Sequence, residues 1–146
     1  MNKAITILSA IIISIIITSC EQEIGRLDLT KNNPAEIQFR LKKGEEVKLW
    51  TDIDITYKEK PLFVYDCEFY KGDEFLFKGG TDPLATTNNR DEVLINENNI
   101  TRWKFYGQLE GTFKAKEDAT YRIKTTFIKN SNPDLDINKV EMVFIK

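Results

Sequence analysis

The chain has 146 residues, a formal net charge of −2 and no histidine. Its 21 basic and 23 acidic residues are too balanced for a protein that binds nucleic acid through a basic surface. The lack of histidine excludes Ser/His and Cys/His nucleophile pairs, histidine-containing zinc sites and a histidine pH switch. Two cysteines are too few for a disulfide scaffold or a four-thiolate zinc site, and the length predicts one domain.

The first nineteen residues are typical of a secretory signal peptide. Lys3 precedes an uncharged apolar run over residues 4–18, and small residues follow that run. A membrane-spanning helix needs roughly 20 apolar residues, so this run is short for a transmembrane segment. We therefore expect residues 1–19 to be a signal peptide.

The end of that segment, Ile17-Thr18-Ser19-Cys20, resembles the lipobox of bacterial lipoproteins. The resemblance implies that the Cys20 thiol is diacylated, that the signal is cut before it and that the new amino group is acylated. Two or three acyl chains would hold the protein in a lipid bilayer. The acidic Glu21-Gln22-Glu23 that follows is similar to surface-export signals of some Gram-negative lipoproteins. We expect an outer-membrane anchor, with the periplasmic and cell-surface faces both open.

Residues 20–35 show no sustained hydrophobic period and contain Gly25 and Pro34. They are interpreted as the lipidated cysteine and a flexible tether, with a short strand near residues 24–29 as an alternative. The folded domain is then expected over residues 36–146.

Period-two alternation dominates this domain and predicts strands. The longest alternation runs over residues 47–58, and a second strong one runs over residues 120–129. A long loop is expected over residues 79–92, with a short helical turn near Leu84. About eight strands without a helical segment predict an all-β antiparallel sandwich of jelly-roll type. The other strands are expected over residues 36–41, 62–70, 75–77, 93–95, 102–106, 109–115 and 140–145.

Residues 107–146 resemble the closing half of jelly-roll and Golgi-dynamics-type β-sandwich domains. The pattern is Gly111-x-Phe113, a polar turn, Tyr121-x-Ile123 and a last apolar strand. The resemblance implies the fold and carries no activity.

Residues that could carry chemistry are few. Asp52 and Asp54 share one face of a strand, but Lys48 and Lys58 on the same face favour a solvated charged surface over a glycosidase pair. Cys67 lies in an apolar strand pattern and is interpreted as a small buried residue. Ser131 has no usual general base near it in the sequence.

The segment from Asn130 to Asn138 carries oxygen-bearing side chains at every second residue, a spacing similar to that of a calcium loop. Leu135 stands where such a loop needs glycine, and Pro133 stiffens the segment. An Asn/Asp-rich surface turn is the preferred interpretation. We expect no bound metal and no cofactor, although calcium binding stays open.

Exposed aromatic residues are the remaining candidates for ligand binding. Trp50 falls between charged residues on a polar strand face, and Trp103, Phe105 and Tyr70 are also expected to face outward. The preferred function is a non-enzymatic envelope lipoprotein that binds a protein partner, including a toxin to be neutralised. The alternative is a surface carbohydrate-binding lipoprotein of a glycan-uptake system, with Trp50, Trp103 and Tyr70 as its platform.

Overall fold

The computed structural model describes residues 20–146, in which the chain forms nine strands and no helix. The predicted signal peptide lies outside these residues. The strands are β1 (Glu23–Asp28), β2 (Ala35–Leu41), β3 (Glu46–Tyr57), β4 (Phe63–Lys71), β5 (Glu74–Thr81), β6 (Thr87–Glu97), β7 (Ile100–Lys114), β8 (Ala119–Lys129) and β9 (Asp136–Ile145).

The strands form two antiparallel sheets, which confirms the all-β sandwich class. The larger sheet has the order β1-β9-β3-β7-β6, and the smaller sheet has the order β2-β8-β4-β5. No helix in residues 20–146 offers a span that could cross a membrane.

The core lies between the sheets because alternate residues of each strand point inward. In β3 the inward residues include Val47, Ile53 and Ile55, all fully buried. Inward Thr51 bonds the Tyr65 hydroxyl at 2.8 Å, and that hydroxyl also donates to the Glu141 carbonyl at 3.2 Å. Burial raises the pKa of Tyr65 well above its usual value. These bonds satisfy the polar atoms in the centre of the sandwich.

The two ends of the sandwich are distinguished by their turns. The described residues begin at the end that holds the turns over residues 42–45, 72–73 and 115–118, which we call the Cys20 end. Backbone bonds from Gly44 to Ala115 and from Gly72 to Thr120 join these turns. The opposite end holds the β6–β7 turn and residues 130–135, and we call it the far end.

The expected loop over residues 79–92 is mostly strand. β5 continues through Gly79 and Gly80 to Thr81, and β6 begins at Thr87, so only residues 82–86 lie between these two strands. A backbone turn, rather than a helical turn, forms here, because the Asp82 carboxylate accepts from the Leu84 amide at 2.8 Å. Pairing with neighbouring strands supplies the backbone bonds that the polar sequence did not indicate.

The structure also has a strand where a flexible tether was expected. Residues 23–28 form β1, which pairs with β9 from Glu23 opposite Ile145 to Asp28 opposite Glu141. The short strand considered near residues 24–29 is therefore present, and Leu27 and Leu29 are buried in the core.

The expected strands 102–106 and 109–115 are one strand, β7, which passes straight through Gly107. A Cβ added at Gly107 would lie 2.7 Å from the Thr86 Cβ and would also meet Asn89. The glycine therefore allows the 82–86 connection to lie against β7.

We expect Gly107→Ala to lower the free energy of unfolding by about 1–3 kcal/mol, because overpacking displaces Thr86. Gly79→Ala is the matched control, since an added Cβ there meets nothing within 4 Å. Urea unfolding followed by tryptophan fluorescence measures both. Equal stability of the two variants would contradict the role assigned to Gly107.

Candidate functional site

Trp50 lies on the outer face of the larger sheet, as expected, but it is only 1% exposed. Its ring stacks on Tyr106 with centroids 4.9 Å apart, and the Arg90 guanidinium covers it at 4.6 Å. Val143 packs against the same ring. The expectation of an exposed Trp50 is therefore wrong, because β6 carries Arg90 across it.

The residues next to Cys20 hold this cover in place. Glu21 pairs with Lys48 at 2.8 Å and with Arg90 at 3.5 Å. The hydrogen bond and charge of Lys48, with a smaller contribution from Arg90, hold the pKa of the Glu21 carboxyl below its usual value. Gln22 and Lys146 exchange two backbone hydrogen bonds of 2.8 Å. Cys20, directly before Glu21, is exposed.

A charged cluster occupies the neighbouring part of the same face, beside an open cleft of about 490 Å³. Arg26 contacts Glu23, Asp52 and Glu141, and its bond to Asp52 measures 2.9 Å. Hydrogen bonds, from Glu23 first, raise the pKa of the Arg26 guanidinium against the effect of burial. These ion pairs are partly exposed, so each contributes little to stability.

Asp52 and Asp54 lie on one face, as their spacing predicts, but each carboxylate forms ion pairs with basic side chains. Lys139 is a second partner of Asp52 at 3.4 Å, and Arg102 pairs with Asp54 at 3.5 Å. The face is charged and points outward, as expected, but the two carboxylates are only about 15% exposed because basic side chains from β1, β7 and β9 cover them.

The other aromatic candidates do not join Trp50. Trp103 lies on the inner face of β7, packs partly against the core and donates to Glu92 at 2.8 Å. Phe105 is buried, so its expected exposure is wrong. Tyr70 is half-buried on the outer face of the smaller sheet, under the Arg122 guanidinium at 4.0 Å. The three candidate residues therefore lie on three different surfaces.

Side chains between Asn130 and Asn138 form hydrogen bonds and an ion pair with other residues of this protein. Asn130 accepts from the Leu62 amide, Asn132 donates to the Glu59 carbonyl and Asp134 pairs with Lys58 at 3.1 Å. Within residues 20–146 no three Cys, Asp or Glu side chains are grouped closely enough to hold a metal ion. Cys67 is buried as predicted, and burial raises the pKa of its thiol.

The β6–β7 hairpin is an exposed apolar feature that was not among the predicted site residues. All eleven residues of β6 are exposed, and Leu94 is 62% exposed. Val93, Ile95 and Ile100 are also exposed, and β6 pairs only with β7 in the described part of the chain. The apolar run Val93-Leu94-Ile95 beside a polar segment was the available signal.

A second apolar feature lies between β5 and β7 at the Cys20 end. It consists of two adjoining cavities of about 360 and 220 Å³ that share Phe77, Thr112 and Phe113. The three consecutive apolar residues Phe75-Leu76-Phe77 break the period of two and were the available signal for this groove.

Comparison with known proteins finds no match to this chain among protein-family models, curated proteins or solved structures.

Proposed function

We propose that this chain is an outer-membrane lipoprotein that acts as a non-enzymatic interaction module, anchored through acylated Cys20 and binding a protein of the cell envelope or a toxin. The lipobox-like Ile17-Thr18-Ser19-Cys20 supports the anchor. The exposed apolar β6–β7 hairpin is the observation that supports a protein partner.

The hairpin has two features that favour protein binding. An edge strand presents unpaired backbone N–H and C=O groups that can accept another strand. Val93, Leu94 and Ile95 add exposed apolar side chains along that edge. Exposed apolar groups grouped in this way are typical of interaction surfaces.

The position of the hairpin fits a protein held at a membrane. β7 begins opposite the last residue of β3, Thr101 beside Tyr57, which places the hairpin turn at the far end. Cys20 lies at the other end. An anchor at Cys20 would therefore direct the hairpin away from the lipid, toward a partner.

A glycan partner fits the geometry less well. Sugar binding at Trp50 and Trp103 needs two accessible rings on one surface. Arg90 covers Trp50, and Trp103 lies on the opposite face of the larger sheet.

We expect Leu94→Asp to abolish capture of the partner when the mature lipoprotein is used as bait on intact cells followed by cross-linking. Burying a carboxylate in an apolar interface is costly, whereas the exposed position tolerates the change in the free protein. Leu62→Asp is the matched control, since Leu62 is 72% exposed at the far end but lies outside the hairpin.

The proposed surface would be contradicted if the Leu94→Asp variant captured the same partner as efficiently as the unchanged protein. A thermal melt of both variants checks that the fold is retained. Surface protease treatment of intact cells in the same experiment separates the periplasmic from the cell-surface location.

A further inference from the structure

The groove between β5 and β7 exists because the side of the sandwich next to β5 is covered along only part of its length. Residues 82–86 cross from the smaller to the larger sheet and bury Leu84 in the core, which closes one part of the edge. The part of β5 nearer the Cys20 end has no such cover. Phe77 is consequently 46% exposed although it stacks on Phe69 at 4.4 Å.

The floor of the groove is aromatic and its rim is basic. Phe113 stacks on Phe69 at 5.5 Å and meets Tyr121 edge-on at 5.0 Å. Lys71, Lys114 and Lys116 line the larger cavity, with Glu117 as its one carboxylate. A narrow apolar floor with cations at one end is complementary to an acyl chain that carries an anionic headgroup.

The rim lysines differ in how strongly they are paired. Lys71 contacts both Glu74 and Glu117. Lys114 has a single long pair, 3.6 Å from Glu46, and both side chains are more than half exposed. Lys116 forms no ion pair within residues 20–146. Lys114 and Lys116 are therefore the cations most available to a headgroup.

A continuous set of contacts places this rim near Cys20. Glu21 pairs with Lys48 near the start of β3, and Glu46 in the same strand pairs with Lys114 at the groove. The paired Gln22 and Lys146 backbones fix the chain at the same end. On the proposed anchor, the mouth of the groove would lie at the membrane surface.

We propose that the groove binds one acyl chain of an anionic phospholipid from the leaflet that carries Cys20, with the headgroup at Lys114 and Lys116. This inference rests on the proposed lipid anchor for the source of the lipid. An added peptide strand fits less well, because the register of β4 and β5 shifts between Phe69 and Tyr70 and interrupts the ladder beside Leu76.

The test uses residues 20–146 with Cys20→Ala, which keep all nine strands and carry no acyl chain of their own. The probe is lysophosphatidylglycerol below its critical micelle concentration, titrated by calorimetry and followed by amide NMR. Glycerophosphoglycerol, which has the same headgroup without the chain, is the first control. We expect saturable binding of the lysolipid, chemical-shift changes at Phe77 and Phe113, and no binding of the chainless compound.

Two variants, one at the aromatic floor and one at the basic rim, test the two parts of the groove separately. Phe77→Glu should weaken binding by about tenfold or more, because it places a carboxylate beside the chain and the anionic headgroup. Phe75→Glu is its matched control, since Phe75 stands in the same strand against Tyr70 on the outer face. Lys114→Gln combined with Lys116→Gln should weaken binding about 25-fold, since each lysine near an anionic lipid contributes about fivefold.

Several results would overturn the proposal. Equal binding of the chainless compound would show a headgroup site alone, and undiminished lysolipid binding by Phe77→Glu would place the chain elsewhere. Absence of lysolipid binding contradicts it directly. None of these results depends on acylation of Cys20, so failure of the groove proposal would not contradict the proposed anchor.

Discussion

Replacing Cys20 with alanine will remove the chain from membranes and leave it as a larger precursor or a soluble species. In the proposed anchor the Cys20 thiol accepts the diacyl group, and each buried CH₂ of an acyl chain contributes about 0.8 kcal/mol to anchoring. Metabolic labelling with a palmitate analogue, followed by membrane fractionation, measures the effect.

Cys67→Ala is the control for the labelling experiment. Cys67 is 3% exposed and bonds Thr125 at 3.5 Å in the core, so it is closed to acylation. Its substitution should retain the label. Labelling of the Cys20→Ala protein, or its undiminished recovery with membranes, would contradict the assignment of the anchor.

Trp50→Ala will destabilise the fold by about 3–5 kcal/mol, the range for truncating a buried aromatic residue. The ring fills the space between Tyr106, Arg90 and Val143, and alanine would leave a cavity there. Chemical unfolding of residues 20–146 measures the change, with circular dichroism as the signal because the substitution removes a fluorophore.

Trp103→Ala is the comparison for this result, since Trp103 is only partly buried. Its loss should cost less than that of Trp50. The packing of Trp50 would be contradicted if Trp50→Ala had the same unfolding midpoint as the unchanged chain. If that variant also bound a glycan more weakly, Trp50 would be an accessible ligand residue.

Regular alternation was the part of the fold that could be predicted best. Residues 47–58 and 120–129 alternate so regularly that β3 and β8 follow with small changes at their ends. β6 was predicted only over residues 93–95, because residues 87–92 are polar. In the structure Asn88 and Asp91 adopt positive φ where the pairing with β7 shifts register. The segment still belongs to the strand because Thr87, Arg90 and Val93 pair with β7.

Of the candidate site, too, only a part could be predicted from the sequence. The position of Trp50 on the outer face followed from the period of two, but its burial did not, because Arg90 is forty residues away in the chain. The groove was missed for a related reason. Phe77 and Phe113 are adjacent only after the two sheets have packed.

The sequence by itself determined the all-β class, the inward face of the long strands and the lipobox-like segment at Cys20, because each depends on residues close together in the chain. Only the tertiary structure decided which outward side chains are covered, where β1 pairs and which edges stay open. Those properties depend on the order of strands in each sheet and on how one sheet ends against the other. Local alternation places a side chain on a face, whereas the neighbouring strand decides whether that face meets water.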